Sequence, residues 1–564
     1  MVVVSDIVRN GIRKKAAALF LAVSLSLGTA GCGQANNPAE TQSPGRIQDP
    51  DGTQDTGGIQ NPGGIQDSGG MQEPGGTRDS GGMQEPGGTQ DSGGIQNPGG
   101  TQDSGGIQNP GGTQDSGSGL NPGGTGNPSG AGGFAAAGGD TSENGENAQG
   151  SSTGSSTTGV YRWNRLDMAN IKLPSAYDYR KTGRAPQIGN QGSLGTCWAF
   201  ASLTALESSL LPGKSMTFAV DHMSMHNSFL LGQDEGGEYT MSMAYLLAWQ
   251  GPVLESQDPY GDGVSPDGLA PSVHVQEIQV LPSKDYEAIK RAVYLRGGVQ
   301  SSLYTSMRDY QSQSVYYNRE TNSYCYIGNE KPNHDSVIVG WDDNYSRENF
   351  NLDLAGDGAF ICTNSWGEDF GDQGYFYVSY ADVNLGVDSV VYTRLDEPDN
   401  YDTIYQSDLL GWVGTLGYRE PSAWFANVYT ASQDEVLKAV SFYATAQHTA
   451  WDLYVVPEYS GTDSLTQPVY LGSGYCEDAG YYTVDIPEMI RMSAGSRFAV
   501  VVRITTKDSE RPIAIEYAAS DLTAGADVSD GEGYISYDGE LWTSVETEYE
   551  CNLCLKAFTN SEES

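Results

Sequence analysis

The chain has 564 residues and a formal net charge of −42, from 72 acidic against 30 basic side chains. Such a charge repels phosphates and argues against nucleic acid or an anionic membrane face as partner. The length allows two or three domains, but many of the 74 glycines crowd the region before residue 150, so not all of the chain can fold.

Arg9, Arg13, Lys14 and Lys15 precede an apolar run from Ala16 to Leu27, which is short for a bilayer span. The run ends in Thr29-Ala30-Gly31-Cys32. Small residues directly before a cysteine resemble the bacterial lipobox, whose thiol is acylated and becomes the new N-terminus; Thr29 stands where Leu is usual. Residues 1–32 are therefore expected to be a lipoprotein signal peptide. Acylated Cys32 would anchor the protein to the outer face of the membrane at the bacterial cell surface, without a spanning helix. The seven cysteines are odd in number and not spaced as a dense disulfide framework, so the exported protein is not expected to rely on disulfides.

From about Gly57 to Gly117 a hexapeptide repeats, as in Gly63-Gly64-Ile65-Gln66-Asp67-Ser68. A repeat can signal a solenoid. Here only one position per unit is sometimes apolar and two are glycine, too little to offset backbone entropy. Residues 33–160 are expected to be a long disordered tether, spanning roughly 60 Å on average and on the order of 400 Å when extended.

Order is expected from Tyr161. Leu173 to Arg180 reads as an extended leading segment. After Cys197, the spacing of Phe200, Leu203, Leu206 and Leu210 predicts a helix. Further helices are predicted over Met241–Gln250 and Tyr286–Tyr294. Beyond Val337 the texture changes to strands, at Val337–Val339, Ala359–Cys362 and Tyr375–Val378, with an acidic loop insertion from Asp342 to Gly358. A helix-rich half followed by a strand-rich half predicts two lobes with a cleft between them over 161–395. From about residue 400 to 560 short strands at Gly-turn spacing, among them Val440–Tyr443, Trp451–Val455 and Arg497–Arg503, predict a β-sandwich.

Asn190-Gln191-Gly192-Ser193-Leu194-Gly195-Thr196-Cys197-Trp198 puts a thiol at the start of a helix, where the dipole favours the thiolate. Gly195 lets a substrate backbone come close. Well downstream lie Asn333-His334-Asp335-Ser336 and Thr363-Asn364-Ser365-Trp366-Gly367. A thiolate–imidazolium pair needs a third group to hold the ring, and the Asn364 carboxamide can do so. These motifs, in this order, resemble the papain family of cysteine peptidases. The resemblance implies an α+β fold, with a helical lobe and a β-barrel-like lobe forming one domain. It implies Cys197 as nucleophile, His334 as general base and acid, and Asn364 as its partner. It further implies Gln191 as an oxyanion donor, Trp366 as a shield over the His–Asn bond, and Gly237 of Gly236-Gly237 as a binder of substrate backbone. Leu194 stands where the family usually has a disulfide cysteine.

Single features weigh less. His222 and His226 have a metal-capable spacing but no identifiable partner, and are read as structural; no metal and no organic cofactor is expected. Cys551 and Cys554 are read as packed strand cysteines facing opposite ways. Asp335, next to His334 on a strand, is assigned no relay role. The C-terminal strands resemble a lectin-like domain, which implies carbohydrate as a further partner, although Trp412, Trp424, Trp451 and Trp542 read more readily as core. The resulting expectation is a surface-anchored cysteine peptidase acting on peptide or protein substrates through an acyl-thioester on Cys197. The alternatives are an inactive papain-like adhesin that binds glycan, or an amidase or transpeptidase acting on cell-wall peptides.

Overall fold

The computed structural model describes residues 171–562. The expected signal peptide with Cys32, the repeat, the tether and the first residues of the expected peptidase domain lie outside the described residues.

The helical lobe is built on α1 (Cys197–Leu210), α2 (Val220–Met225) and α3 (Tyr239–Leu247). The apolar stripe on α1 is only part of its packing. Ala199, Ala201, Ser202, Ala205 and Ser208 are buried as well, so small residues let neighbours approach the helix from nearly every side. The third predicted helix is α4 (Tyr286–Leu295), with the Asp285 carboxylate accepting from the Ala288 N–H at its start. α3 departs from expectation at its end: it stops at Leu247, and Trp249 takes a left-handed φ of 59° before Gly251-Pro252. Proline disfavours helix in the residue before it, so the turn must be complete by then.

The β lobe and its extensions comprise β1 (Ala176–Asp178), β2 (His274–Val280), β3 (Val299–Leu303), β4 (Tyr317–Asn318), β5 (Ser323–Tyr324), β6 (His334–Asp342), β7 (Ala359–Thr363), β8 (Tyr375–Ser379) and β9 (Ser389–Asp396). The leading segment is extended only as far as β1, which pairs with the far end of β6; Tyr179–Thr182 then forms a 3-10 turn capped by the Asp178 carboxylate. Side-chain alternation on β6, reset by a register shift in its pairing with β7 between Ile338 and Gly340, divides two cores. Val337 and Val339 join the cluster around α1, while Ile338 and Trp341 join Phe360, Phe376 and Val378 of the β lobe. β6 therefore lies between the lobes, with His334 at its start.

The remaining strands are β10 (Thr403–Tyr405), β11 (Gly414–Leu416), β12 (Ser422–Thr430), β13 (Glu435–Ala444), β14 (Thr449–Val456), β15 (Val469–Cys476), β16 (Ala479–Met492), β17 (Arg497–Thr506), β18 (Ile513–Glu516), β19 (Gly533–Ser536), β20 (Trp542–Ser544), β21 (Asn552–Leu553) and β22 (Leu555–Ser561). A six-stranded sheet, β15-β14-β17-β12-β19-β20, packs through Phe425, Leu453, Val500 and Val502 against Leu437, Val440, Phe442 and Leu555 on β13 and β22. This is the expected β-sandwich. Its second sheet does not end at its own edge: β16 pairs antiparallel with β2, so one sheet runs through both regions. Gly480 permits the junction, because a Cβ there would lie 2.1 Å from the Ile278 carbonyl oxygen. Arg394 on β9 closes it with bonds to Asp396 at 2.8 Å and Asp485 at 2.9 Å.

Candidate active site

Cys197 opens α1 and is fully buried. Its sulfur accepts the Asp335 N–H at 3.5 Å, which sets it beside the peptide that follows His334. The His334 imidazole is 3 % exposed and its Nε2 is 2.7 Å from Asn364 Oδ1. Asn364 Oδ1 also accepts the Ser365 N–H at 2.8 Å, which fixes the carboxamide with its oxygen toward the ring. Nε2 then carries the proton, and Nδ1 is the ring nitrogen left for the sulfur side. The Trp366 ring packs 4.9 Å from the imidazole and is itself edge-on to Phe370, shielding the His–Asn bond from water.

Gln191 is held from three directions. Its N–H donates to Ser365 O at 2.8 Å, its Oε1 accepts from Ser365 Oγ at 2.7 Å, and its Nε2 donates to Leu194 O at 2.7 Å. A carboxamide nitrogen has two protons, so one remains for an oxyanion. Gly195 donates its N–H to Gln233 O at 2.7 Å, tying the turn before Cys197 to the loop that leads to Gly236 and Gly237. Gly237 lies on the Trp198 indole, where a Cβ would be 2.5 Å from Nε1. Nothing larger than glycine fits that contact.

Residues 173–395 match the model of the papain family cysteine proteases, and residues 404–559 match that of the lectin like domain. The chain carries a papain-family cysteine protease domain followed by a lectin-like domain. Among curated relatives, mouse (Mus musculus) cathepsin K is 28 % identical over 211 residues, 36 % of this chain and 59 % of that protein. Bovine (Bos taurus) cathepsin S is 29 % identical over 219 residues, 36 % of this chain and 60 % of its own length. The chain thus spans about three fifths of these relatives. Among solved structures, the clostridial cysteine protease Cwp84 after propeptide cleavage is 27 % identical with a TM-score of 0.61, covering 69 % of this chain and 100 % of that one. A second structure holds the cysteine protease and lectin-like domains of Cwp84, a surface layer associated protein of Clostridium difficile. It is 26 % identical with a TM-score of 0.61, covering 70 % of this chain and 90 % of that one.

Three features of the protease domain were not legible from its motifs. Ser365 clamps the Gln191 carboxamide; it sits inside a motif already singled out, so its position was a signal. Tyr260 gave none, yet its hydroxyl donates to Gln191 O at 2.9 Å and meets Thr196 Oγ1 at 2.7 Å. Gln300 on β3 also had none: its amide group bonds Ser202 Oγ at 2.8 Å and the Asp335 carboxylate at 3.0 Å. Asp335 also accepts from Ser302 Oγ at 2.6 Å, so its carboxyl turns to β3 and away from the imidazole's partner Asn364. His222 bonds the Tyr245 hydroxyl at 2.6 Å through Nδ1 and stacks on His226, and burial pushes it down to about 4. Cys551 and Cys554 are buried in different cores. Trp412 packs against the helical-lobe core, Trp451 against the sandwich core, and Trp424 and Trp542 against a third cluster.

Burial pushes the His334 imidazole down to about 4, and the Asn364 bond pulls the other way by favouring the charged ring. In a Cys197→Ala background, where no thiolate can compensate, the ring is expected to stay neutral until the pH falls to about 4. Asn364→Ala should move protonation to still lower pH. Imidazole NMR shifts followed against pH check both; a ring titrating near 6.5 in either protein would contradict the burial argument.

Proposed function

We propose that this protein is a cysteine peptidase that hydrolyses peptide bonds through an acyl-thioester on Cys197. The observation that carries the reading is the convergence of the Cys197 sulfur, the His334 ring bonded to Asn364, and a Gln191 amide with one proton unspent. His334 takes the thiol proton and the sulfur attacks the carbonyl carbon. The oxyanion is held by the Cys197 N–H and the Gln191 amide. His334 then gives its proton to the leaving amine as the C–N bond breaks. Water, deprotonated by the same ring, attacks the thioester; the acid product departs and the thiol is regained.

The similarity to a surface layer associated protein supports work at the cell surface. The basic and apolar N-terminus with Cys32 supports a lipid anchor there, and the Gly-rich repeat supports a long leash. The lectin-like match supports a glycan as the partner that the C-terminal region holds.

Acidic groups near the nucleophile bear on substrate choice. Glu238 follows Gly237, Asp335 follows His334, and both interact electrostatically with Asp388. Burial and this mutual repulsion push Glu238 and Asp335 each up to about 7, and no Lys or Arg is among the groups that act on them. A cationic substrate side chain beside Glu238, the less buried of the two, would relieve the repulsion, so cleavage is expected to favour peptides with Lys or Arg near the scissile bond. The preference should strengthen as pH rises through 7 and Glu238 ionises.

Two measurements test these statements. Cys197→Ala is expected to abolish peptide hydrolysis and labelling by a thiol-directed epoxide while leaving the circular dichroism spectrum unchanged; surviving hydrolysis would remove Cys197 as nucleophile. On a peptide library, Glu238→Gln should reduce the advantage of basic over neutral residues about threefold or more, whereas an unchanged profile would refute the electrostatic basis of the preference.

A further inference from the structure

A cavity of about 220 Å³ lies beside α1, and the proposed reaction does not use it. It is lined by the segment 187–190 that leads into Gln191 and by Glu207 of α1, Glu255 and Tyr260. Glu207 is 5 % exposed. Its Oε1 accepts the Phe218 N–H at 2.8 Å. Glu255 accepts the Tyr260 N–H at 2.9 Å through Oε1. Glu207 and Glu255 thus line one space, whose apolar wall includes Ile188, Phe200, Leu203 and Phe218. No Lys or Arg is among the groups that act on either. A buried carboxylate without a counter-charge is costly, and a bound cation removes that cost.

The cavity is wired to the proposed oxyanion site. Tyr260 packs edge-on to Phe200 with ring centroids 4.8 Å apart. Its hydroxyl donates to the Gln191 carbonyl and accepts from Thr196, the residue before Cys197. Any occupant that moves or steadies Tyr260 acts on both sides of the oxyanion site through these two bonds.

We propose that this cavity is a regulatory site for a small organic cation with an apolar body, its ammonium group bound between Glu207 and Glu255 and its effect relayed through Tyr260. The binding half stands on the cavity alone; the regulatory half rests on the reading of Cys197 and Gln191 as catalytic. The charged and titratable groups facing the pair are Tyr179 beside Glu207 and Asp221 and Asp258 beside Glu255. Burial, with Glu255 adding to it, pushes Glu207 up to about 8, so a cation that prefers the ionised carboxyl should bind more tightly as pH rises from 6 to 8.

The test uses benzylamine, charged at neutral pH, and benzyl alcohol, the same ring without the charge. Calorimetric titration of the full chain carrying Cys197→Ala keeps binding separate from catalysis. One benzylammonium is expected to bind per chain, with benzyl alcohol at least tenfold weaker and Glu207→Gln weakening the amine at least tenfold. Should Glu207→Gln not fold, Glu255→Gln carries the same expectation. Absence of binding, or equal binding of the alcohol or by the Gln variant, overturns the site. In the chain with Cys197 intact, benzylammonium should change kcat at least twofold with KM nearly constant, and Tyr260→Phe should abolish that response while binding persists. Binding without any change in kcat overturns the regulatory role. A chain that binds the amine but hydrolyses no peptide contradicts the peptidase reading and leaves the cation site standing.

Discussion

The backbone bonds that strap residues 189–191 to residues 365–367 are the constraint on which the site depends. Gln191 donates to Ser365 O and Gly367 donates to Gly189 O, at 2.8 and 2.9 Å, with a bridge between Asn190 and Trp366. The first segment leads into α1 and its thiol; the second carries the carboxamide and indole that hold and cover the imidazole. Joining them fixes the sulfur, the ring and the Gln191 amide relative to one another, although they arise from parts of the chain far apart in sequence. A shift of about 1 Å in such an arrangement can cost on the order of a hundredfold in rate.

Electrostatics then set what the fixed groups can do. The start of a helix favours a thiolate, while a dry pocket disfavours a lone imidazolium. In the proposed mechanism either charge alone would be costly there, but the two together would stabilise one another, with Asn364 and Trp366 keeping the pair aligned and dry. The buried acids around this centre follow the same rule. Glu207, Glu238 and Asp335 are each pushed upward chiefly by burial, and no Lys or Arg is among the groups acting on them. On the proposed reading, such carboxyls would bias the cleft toward cationic side chains and make the cavity next to α1 receptive to a cation.

The outline of the fold was readable because its signals are local. Strand-like texture marked β7, β8, β13 and β17, the spacing of large apolar residues marked α1, and turn residues separated the sandwich strands. The proposed chemistry was suggested by Gln191, Cys197, His334 and Asn364, which each sit in a short motif whose order is distinctive. What escaped depends on contacts made at a distance. The pairing of β16 with β2 joins two sheet edges, and edge pairing leaves no local pattern. The burial of α1 on nearly all sides comes from neighbours that small residues admit. The role of Tyr260 comes from a loop whose course no periodicity describes, and the early stop of α3 shows a downstream proline overriding helical spacing.

The proposed mechanism requires that the Cys197 thiol be ionised by its imidazole partner. The rate at which the full chain's Cys197 is alkylated by a small haloacetamide, followed by mass spectrometry from pH 4 to 10, tests it most directly. Alkylation should stay fast well below the ordinary thiol range of about 8.5 and lose that acid-side reactivity in His334→Ala. A rate that rises only through the ordinary thiol range in both proteins would contradict the ion pair and the catalytic reading built on it.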